Sequence, residues 1–118
     1  MPVAEILHQK GQHVSTVRSI DSVEAAIRML YEQRIGALVV VDRWGKLVGM
    51  FSERDVLHAL AQHGAEALGY EVHELMTPDV TTCTPEDRID EVMKVMTAHR
   101  FRHLPVMENG QLATFVPG

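Results

Sequence analysis

Apolar residues along the chain fall into two patterns, and each pattern occurs twice. Val23, Ala26, Ile27 and Leu30 recur at spacings of three and four, which predicts an amphipathic helix over 21–34 with one stripe to bury. Ile89, Val92, Met93 and Met96 repeat that spacing 66 residues later and predict a second helix over 87–100. The helix starts are marked by Asp21, three residues before Glu24, and by Thr84-Pro85 followed by Asp87, whose side chains can cap free backbone N–H groups.

Behind each helix comes a run with strand character, Gly-Ala-Leu-Val-Val-Val at 36–41 and His-Leu-Pro-Val-Met at 103–107. The first run enters a turn that ends at Gly45, the second a turn at Asn109-Gly110 in a loop one residue shorter; both turns suit a tight hairpin. Returning strands are expected over 46–51 and 111–116, short strands over 14–17 and 80–83, and helical lead-ins over 3–9 and 71–76. Only the first copy adds another helix, over 52–63, with Val56, Leu57, Leu60 and Ala61 as its apolar stripe. Met29, Met93 and Met96 follow helical spacing and are expected in the core.

The expected fold class is α+β: two pseudo-symmetric repeats of strand, helix, hairpin and helix, the second lacking its last helix. The first repeat with its lead-in covers 1–63, a linker 64–70, and the incomplete second repeat 71–118. Each copy alone is near the size at which a core becomes marginal, so the two are expected to share an interface.

Composition narrows the function. The 118 residues are 46% hydrophobic and 23% charged, as in a globular domain. A formal charge of −5 has the wrong sign for coating phosphate backbones, so nucleic acid is not an expected partner. No apolar run approaches the roughly 20 residues that span a bilayer, so no membrane segment is expected. The single Cys83 cannot form an internal bridge and no secretory leader pattern opens the chain, which together lead to an expected cytoplasmic location. No nucleophile elbow, phosphate-gripping loop, His-Glu-x-x-His or paired-cysteine motif occurs, so no catalytic residues and no enzyme are expected. Cys83, His99 and His103 can be drawn as a metal set, but the histidines straddle a helix-strand break and share no helical face, so no metal site is expected.

The repeat, the segment 34–42 and above all Gly49-Met-Phe-Ser-Glu-Arg-Asp55 resemble the cystathionine-β-synthase (CBS) domain, whose tandem pairs form a Bateman module. The resemblance covers nearly the whole chain, and Arg102-His-Leu-Pro-Val106 is also typical of it. It implies a regulatory module, with no required cofactor, that binds an adenosyl ligand (AMP, ADP, ATP, NAD(H) or S-adenosylmethionine) in the cleft between the copies. The residues it implies are Thr16 and its mate Thr82, Gly36 and Ala37 along the strand that meets adenine, Ser52, Arg54 and Asp55 at the strand-to-helix junction, and Arg102 and His103.

The chemistry of these residues suits such a ligand. A helix start at Ser52 offers N–H groups and a positive dipole end to phosphate, while the Asp55 carboxylate is an acceptor for ribose hydroxyls. Gly36 and Ala37 are small enough for a flat base to approach, and Arg54, Arg102 and His103 are cationic partners for phosphate. Plainer roles stand beside these. Ser52 and Asp55 also form a capping-box pattern, Gly36 can end the preceding helix, and Arg34 and Arg100 sit at helix C-termini where positive charge is favoured.

In the second copy Ser52 falls on Pro117, and Asp55 has no counterpart. The second site is therefore expected to be weak or lost, and an apolar patch is expected to be covered by another copy in a homodimer. The output is expected to pass through a separate effector protein. The alternative is a CBS-fold interaction or scaffold protein that has lost nucleotide binding.

Overall fold

A computed structural model describes residues 2–4, 15–100, 103–109 and 111–117. The chain divides into two units, one of residues 15–80 and one of residues 1–14 with 81–118.

In the 15–80 unit, β1 (Thr16–Arg18) precedes α1 (Val23–Gln33), which leads to the hairpin of β2 (Ala37–Val41) and β3 (Leu47–Ser52) and then to α2 (Glu53–His63). The sheet order is β1-β2-β3, with β1 parallel and β3 antiparallel to β2. Val17, Leu38, Val40 and Phe51 share one face and pack with Val23, Ala26 and Leu30 of α1. Ala37, Leu38, Val39 and Val40 are all fully buried, so β2 is covered on both faces, as its unbroken apolar run requires. The remaining face carries Thr16, Ala37, Val39, Met50 and Ser52 in register.

Two local expectations change. The N-cap of α1 is Ser22, whose Oγ accepts from the Ala25 N–H at 3.1 Å, and not Asp21. The Asp21 carboxylate turns back to accept from the Arg18 N–H at 3.0 Å. Asp87 likewise accepts from the Thr84 N–H at 2.9 Å, so this aspartate closes the turn before the helix in both copies rather than capping it. Arg34, not Gly36, takes the left-handed conformation that ends α1, with φ 55°, and Arg100 ends the second long helix in the same way with φ 59°.

The segment 64–70 forms a 3-10 turn over Gly64–Gly69 with Ala67 buried, followed by α3 (Val72–Leu75). The N–H groups of Val72 and His73 donate to the carbonyls of Asp21 and Ser19, at 2.8 and 3.0 Å. The lead-in to the second repeat is thus stitched to the start of α1. In the other unit Val3 makes the equivalent bond to the Asp87 carbonyl at 2.9 Å. Each lead-in therefore serves the repeat other than the one it precedes. Val3 and Ala4 are helical, and the rest of the expected helix over 3–9 lies outside the described residues.

The second unit has α4 (Ile89–His99) and the hairpin of β4 (His103–Glu108) and β5 (Gln111–Pro117). Its core repeats the first by position. Cys83, Ile89, Val92, Met96, Leu104, Val106 and Val116 stand where Val17, Val23, Ala26, Leu30, Leu38, Val40 and Phe51 stand in the other. The smaller Val116 is offset by the larger Val92, a near-conserved total volume. Both hairpins carry an irregularity at the same place, between Val40 and Val41 and between Val106 and Met107. Val40 pairs with Gly49 as Val106 pairs with Thr114, so the returning strands are related by a shift one residue shorter than that of the helices.

The expected strand over 80–83 is reduced to one parallel bridge between Cys83 and Val106, and the strand expected over 14–17 begins at Thr16, with Val14 outside the described residues. Met93 is 39% exposed, unlike Met96 at 2%.

Candidate functional site

The strand-to-helix junction is built by its own side chains. Ser52 is the N-cap of α2, and its Oγ accepts from the Asp55 N–H at 3.4 Å. The Asp55 carboxylate answers, its Oδ2 accepting from the Ser52 N–H at 2.8 Å and from the Ser52 hydroxyl at 3.1 Å. This reciprocal arrangement satisfies donors that a helix start leaves open. The Glu53 N–H donates to the Gly36 carbonyl at 3.0 Å, which ties the helix start to the mouth of β2. Two donors of the first turn are thus engaged within the chain.

The far oxygen of the carboxylate, Oδ1, accepts from the Thr77 hydroxyl at 2.9 Å. That bond spans 22 residues and recruits a side chain absent from the sequence-derived set. No local pattern marks Thr77; the one clue is Gly49. A Cβ at Gly49 would lie 2.8 Å from the Thr77 carbonyl oxygen and 2.5 Å from Met76 Sδ, so the segment 76–77 approaches β3 only because position 49 has no side chain.

Holding Asp55 against Thr77 also sets the rotation of α2 about its axis. The inward face runs through Asp55, Val56, Ala59 and His63, with Ala59 2% exposed, while Leu57 is 71% and Leu60 41% exposed. Of the expected stripe of Val56, Leu57, Leu60 and Ala61, only Val56 is turned inward and the other three are exposed, so the side of α2 that carries the polar anchor, and not the wider apolar stripe, faces the unit. Tyr70 closes the far end, its hydroxyl 3.3 Å from His63 Nδ1.

Six of the nine implied residues lie in the 15–80 unit. Ala37 and Ser52 are paired across β2 and β3, Thr16 lies on the same sheet face two positions along, Gly36 bonds the helix start, and Arg54 is exposed on the first turn of α2. Thr82 and His103 lie in the other unit, Thr82 exposed in a non-strand segment and His103 half-buried at the start of β4. Arg102 lies outside the described residues. An open recess of about 520 Å³, lined by Leu30, Tyr31, Glu32, Arg34, Ile35 and Glu53, takes in none of the nine.

Cys83 is buried, and its thiol is pushed up to about 11, first by burial and then by the charge of Asp87. Among the described residues no three His, Cys, Asp or Glu side chains converge as a metal set. Among the described residues no helix is long and apolar enough to cross a membrane.

Comparison with known proteins agrees with this architecture. The CBS domain family model matches residues 3–62 and 72–113. A CBS-domain containing protein from Agrobacterium tumefaciens superposes with a TM-score of 0.94 at 40% identity, covering 98% of this chain and 87% of that one. The CBS domain pair of protein MJ0100, solved in complex with 5'-methylthioadenosine and S-adenosyl-L-methionine, superposes with a TM-score of 0.86 at 28% identity, covering 99% and 89%. The mitochondrial CBS domain-containing protein CBSX3 of Arabidopsis thaliana is 33% identical over 115 residues, 91% of this chain and 56% of that protein. The chain spans between 39% and 59% of the length of the first three curated relatives it matches.

Proposed function

The chain belongs to the CBS domain family, and we propose that it is a regulatory, non-catalytic module that senses an adenosyl ligand. The observation that carries this reading is the Asp55 carboxylate at the opening of α2, next to the small-residue edge of Gly36 and Ala37. A carboxylate beside a helix N-terminus suits a molecule that joins a sugar diol to a phosphate or cationic group. The adenosyl compounds bound to the related pair of protein MJ0100 support the same class of ligand. In this reading Ser52, Arg54 and Asp55 meet sugar and phosphate, Gly36, Ala37 and Thr16 meet the base, and Thr82, Arg102 and His103 contribute from the second repeat. The exposed Leu57 and Leu60 support a homodimer, with signalling through a separate effector protein.

Thermal melts with AMP, ATP, NADH and S-adenosylmethionine test the proposal. A ligand at a hundred times its dissociation constant stabilises a single-site protein by about 2.7 kcal/mol. No shift with any of the four counts against it.

A second reading, a scaffold that does not bind nucleotide, is favoured by one observation: Ser52 and Asp55 already satisfy each other, and Thr77 occupies Oδ1. The same melts separate the two.

A further inference from the structure

Thr77 lies just beyond α3, where its backbone exchanges two hydrogen bonds with Met50 of β3, each 2.9 Å. Gly49 makes that approach possible, since a Cβ there would meet the Thr77 carbonyl oxygen at 2.8 Å. The backbone of Thr77 is therefore fixed before its side chain does anything. From that fixed position its hydroxyl donates to Asp55 Oδ1 at 2.9 Å, while Ser52 fills Oδ2 with its N–H and its hydroxyl. An ionised carboxylate offers roughly four acceptor positions. Three are taken by the protein. Because donors hold both oxygens, the plane of the carboxylate cannot turn without breaking a bond.

We infer that Thr77 is a positioning residue for ligand recognition: it locks the Asp55 carboxylate so that a single acceptor position, on Oδ1, is presented to one hydroxyl of a ribose. The inference rests on the adenosyl-sensing reading and makes it more specific. A free aspartate could take both hydroxyls of the sugar in a two-pronged contact, whereas this one is limited to one by the bonds it already makes. The glycine, serine and aspartate of Gly49-x-x-Ser52-x-x-Asp55 then act with Thr77 as one device. Gly49 admits Thr77, Ser52 holds one oxygen, and Thr77 holds the other.

The test is calorimetric titration of the whole chain with AMP, 2'-deoxy-AMP and 3'-deoxy-AMP, for wild type, Thr77→Val and Thr77→Ser. In wild type, removing one of the two hydroxyls should weaken binding roughly tenfold, the order expected for a hydrogen bond to a charged group, and removing the other about twofold or less. Thr77→Val should shrink that tenfold difference to about threefold or less, because the carboxylate is free to turn, and Thr77→Ser should restore it. A merely structural role for Thr77 would weaken all three ligands equally and leave the ratio unchanged, and that result overturns the inference. Equal losses for both deoxy compounds in wild type overturn it without any variant. Failure of the wild-type chain to bind AMP at all removes the underlying reading, a result distinct from binding without discrimination.

Discussion

Val39 and Pro105 hold the same place in the two repeats, and only Val39 has a backbone hydrogen to give. Its N–H donates to the Ser15 carbonyl at 3.2 Å and helps secure β1 beside β2. The corresponding bond from Pro105 to Thr81 cannot form, since proline has no N–H. What survives is the bridge at Cys83, whose N–H donates to the Pro105 carbonyl at 2.9 Å and whose carbonyl accepts from Met107 at 2.7 Å. Among the described residues, this one residue type accounts for the three-stranded sheet of one repeat and the two strands of the other.

Pro105→Val should supply the missing donor. The new bond contributes about 1 kcal/mol, and loss of the proline's restraint on the unfolded chain costs about 0.4–1 kcal/mol. Near-cancellation is expected, so the denaturation midpoint should move little. Hydrogen exchange should nevertheless find the new amide at position 105 protected. An amide there that exchanges as fast as an exposed loop would remove this explanation of the lost strand.

Gly49→Ala should destabilise the chain by about 1–3 kcal/mol, the range for overpacking, because the added carbon meets a backbone carbonyl at 2.8 Å. A urea midpoint equal to that of wild type would show that segment 76–77 moves aside freely.

Asp55→Ala should lose about 1–2 kcal/mol, since it removes the acceptor for the Ser52 N–H and strands the Thr77 hydroxyl. Adenosyl binding should disappear with it under the sensing reading. If the variant is destabilised and still binds as wild type, Asp55 is a structural cap only.

The two candidate caps of α1 separate by substitution. Ser22→Ala should cost about 1 kcal/mol, because Ser22 satisfies the Ala25 N–H. Asp21→Asn keeps an acceptor for the Arg18 N–H and gives up only an exposed ion pair, so less than about 0.5 kcal/mol is expected. The reverse order in chemical denaturation would restore Asp21 as the cap.

Cys83 makes stability fall at high pH. Its thiol has an ordinary value of 9.0 and is raised to about 11 in the folded chain, so the unfolded chain gives up its proton first. The contribution is intact below pH 9, declines between 9 and 11, and amounts to about 2–3 kcal/mol in total. Cys83→Ala should flatten the decline in that window. At neutral pH the folded thiol should resist alkylation, and labelling as fast as that of a free cysteine would contradict its burial.

Much of the fold was legible in the chain. The spacing of Val23, Ala26 and Leu30 against Ile89, Val92 and Met96 reports which side of each helix is buried, because that stripe must meet a sheet whatever else surrounds it. The site was partly legible. Ser52 and Asp55 stand three apart, so their mutual capping is a local matter. Thr77 was not legible, because it reaches Asp55 across 22 residues and nothing local ties the two together.

The amino-acid order alone therefore determined the repeat, the long helices, the hairpins and the capped junction at Ser52, all of which follow from contacts between near neighbours or from the period of apolar positions. Tertiary structure alone decided the placement of each lead-in against the opposite repeat, the outward turn of Leu57 and Leu60, and the grip of Thr77 on Asp55. Those features depend on which distant backbone atoms come within hydrogen-bonding reach, and that is settled only when the sheets are assembled.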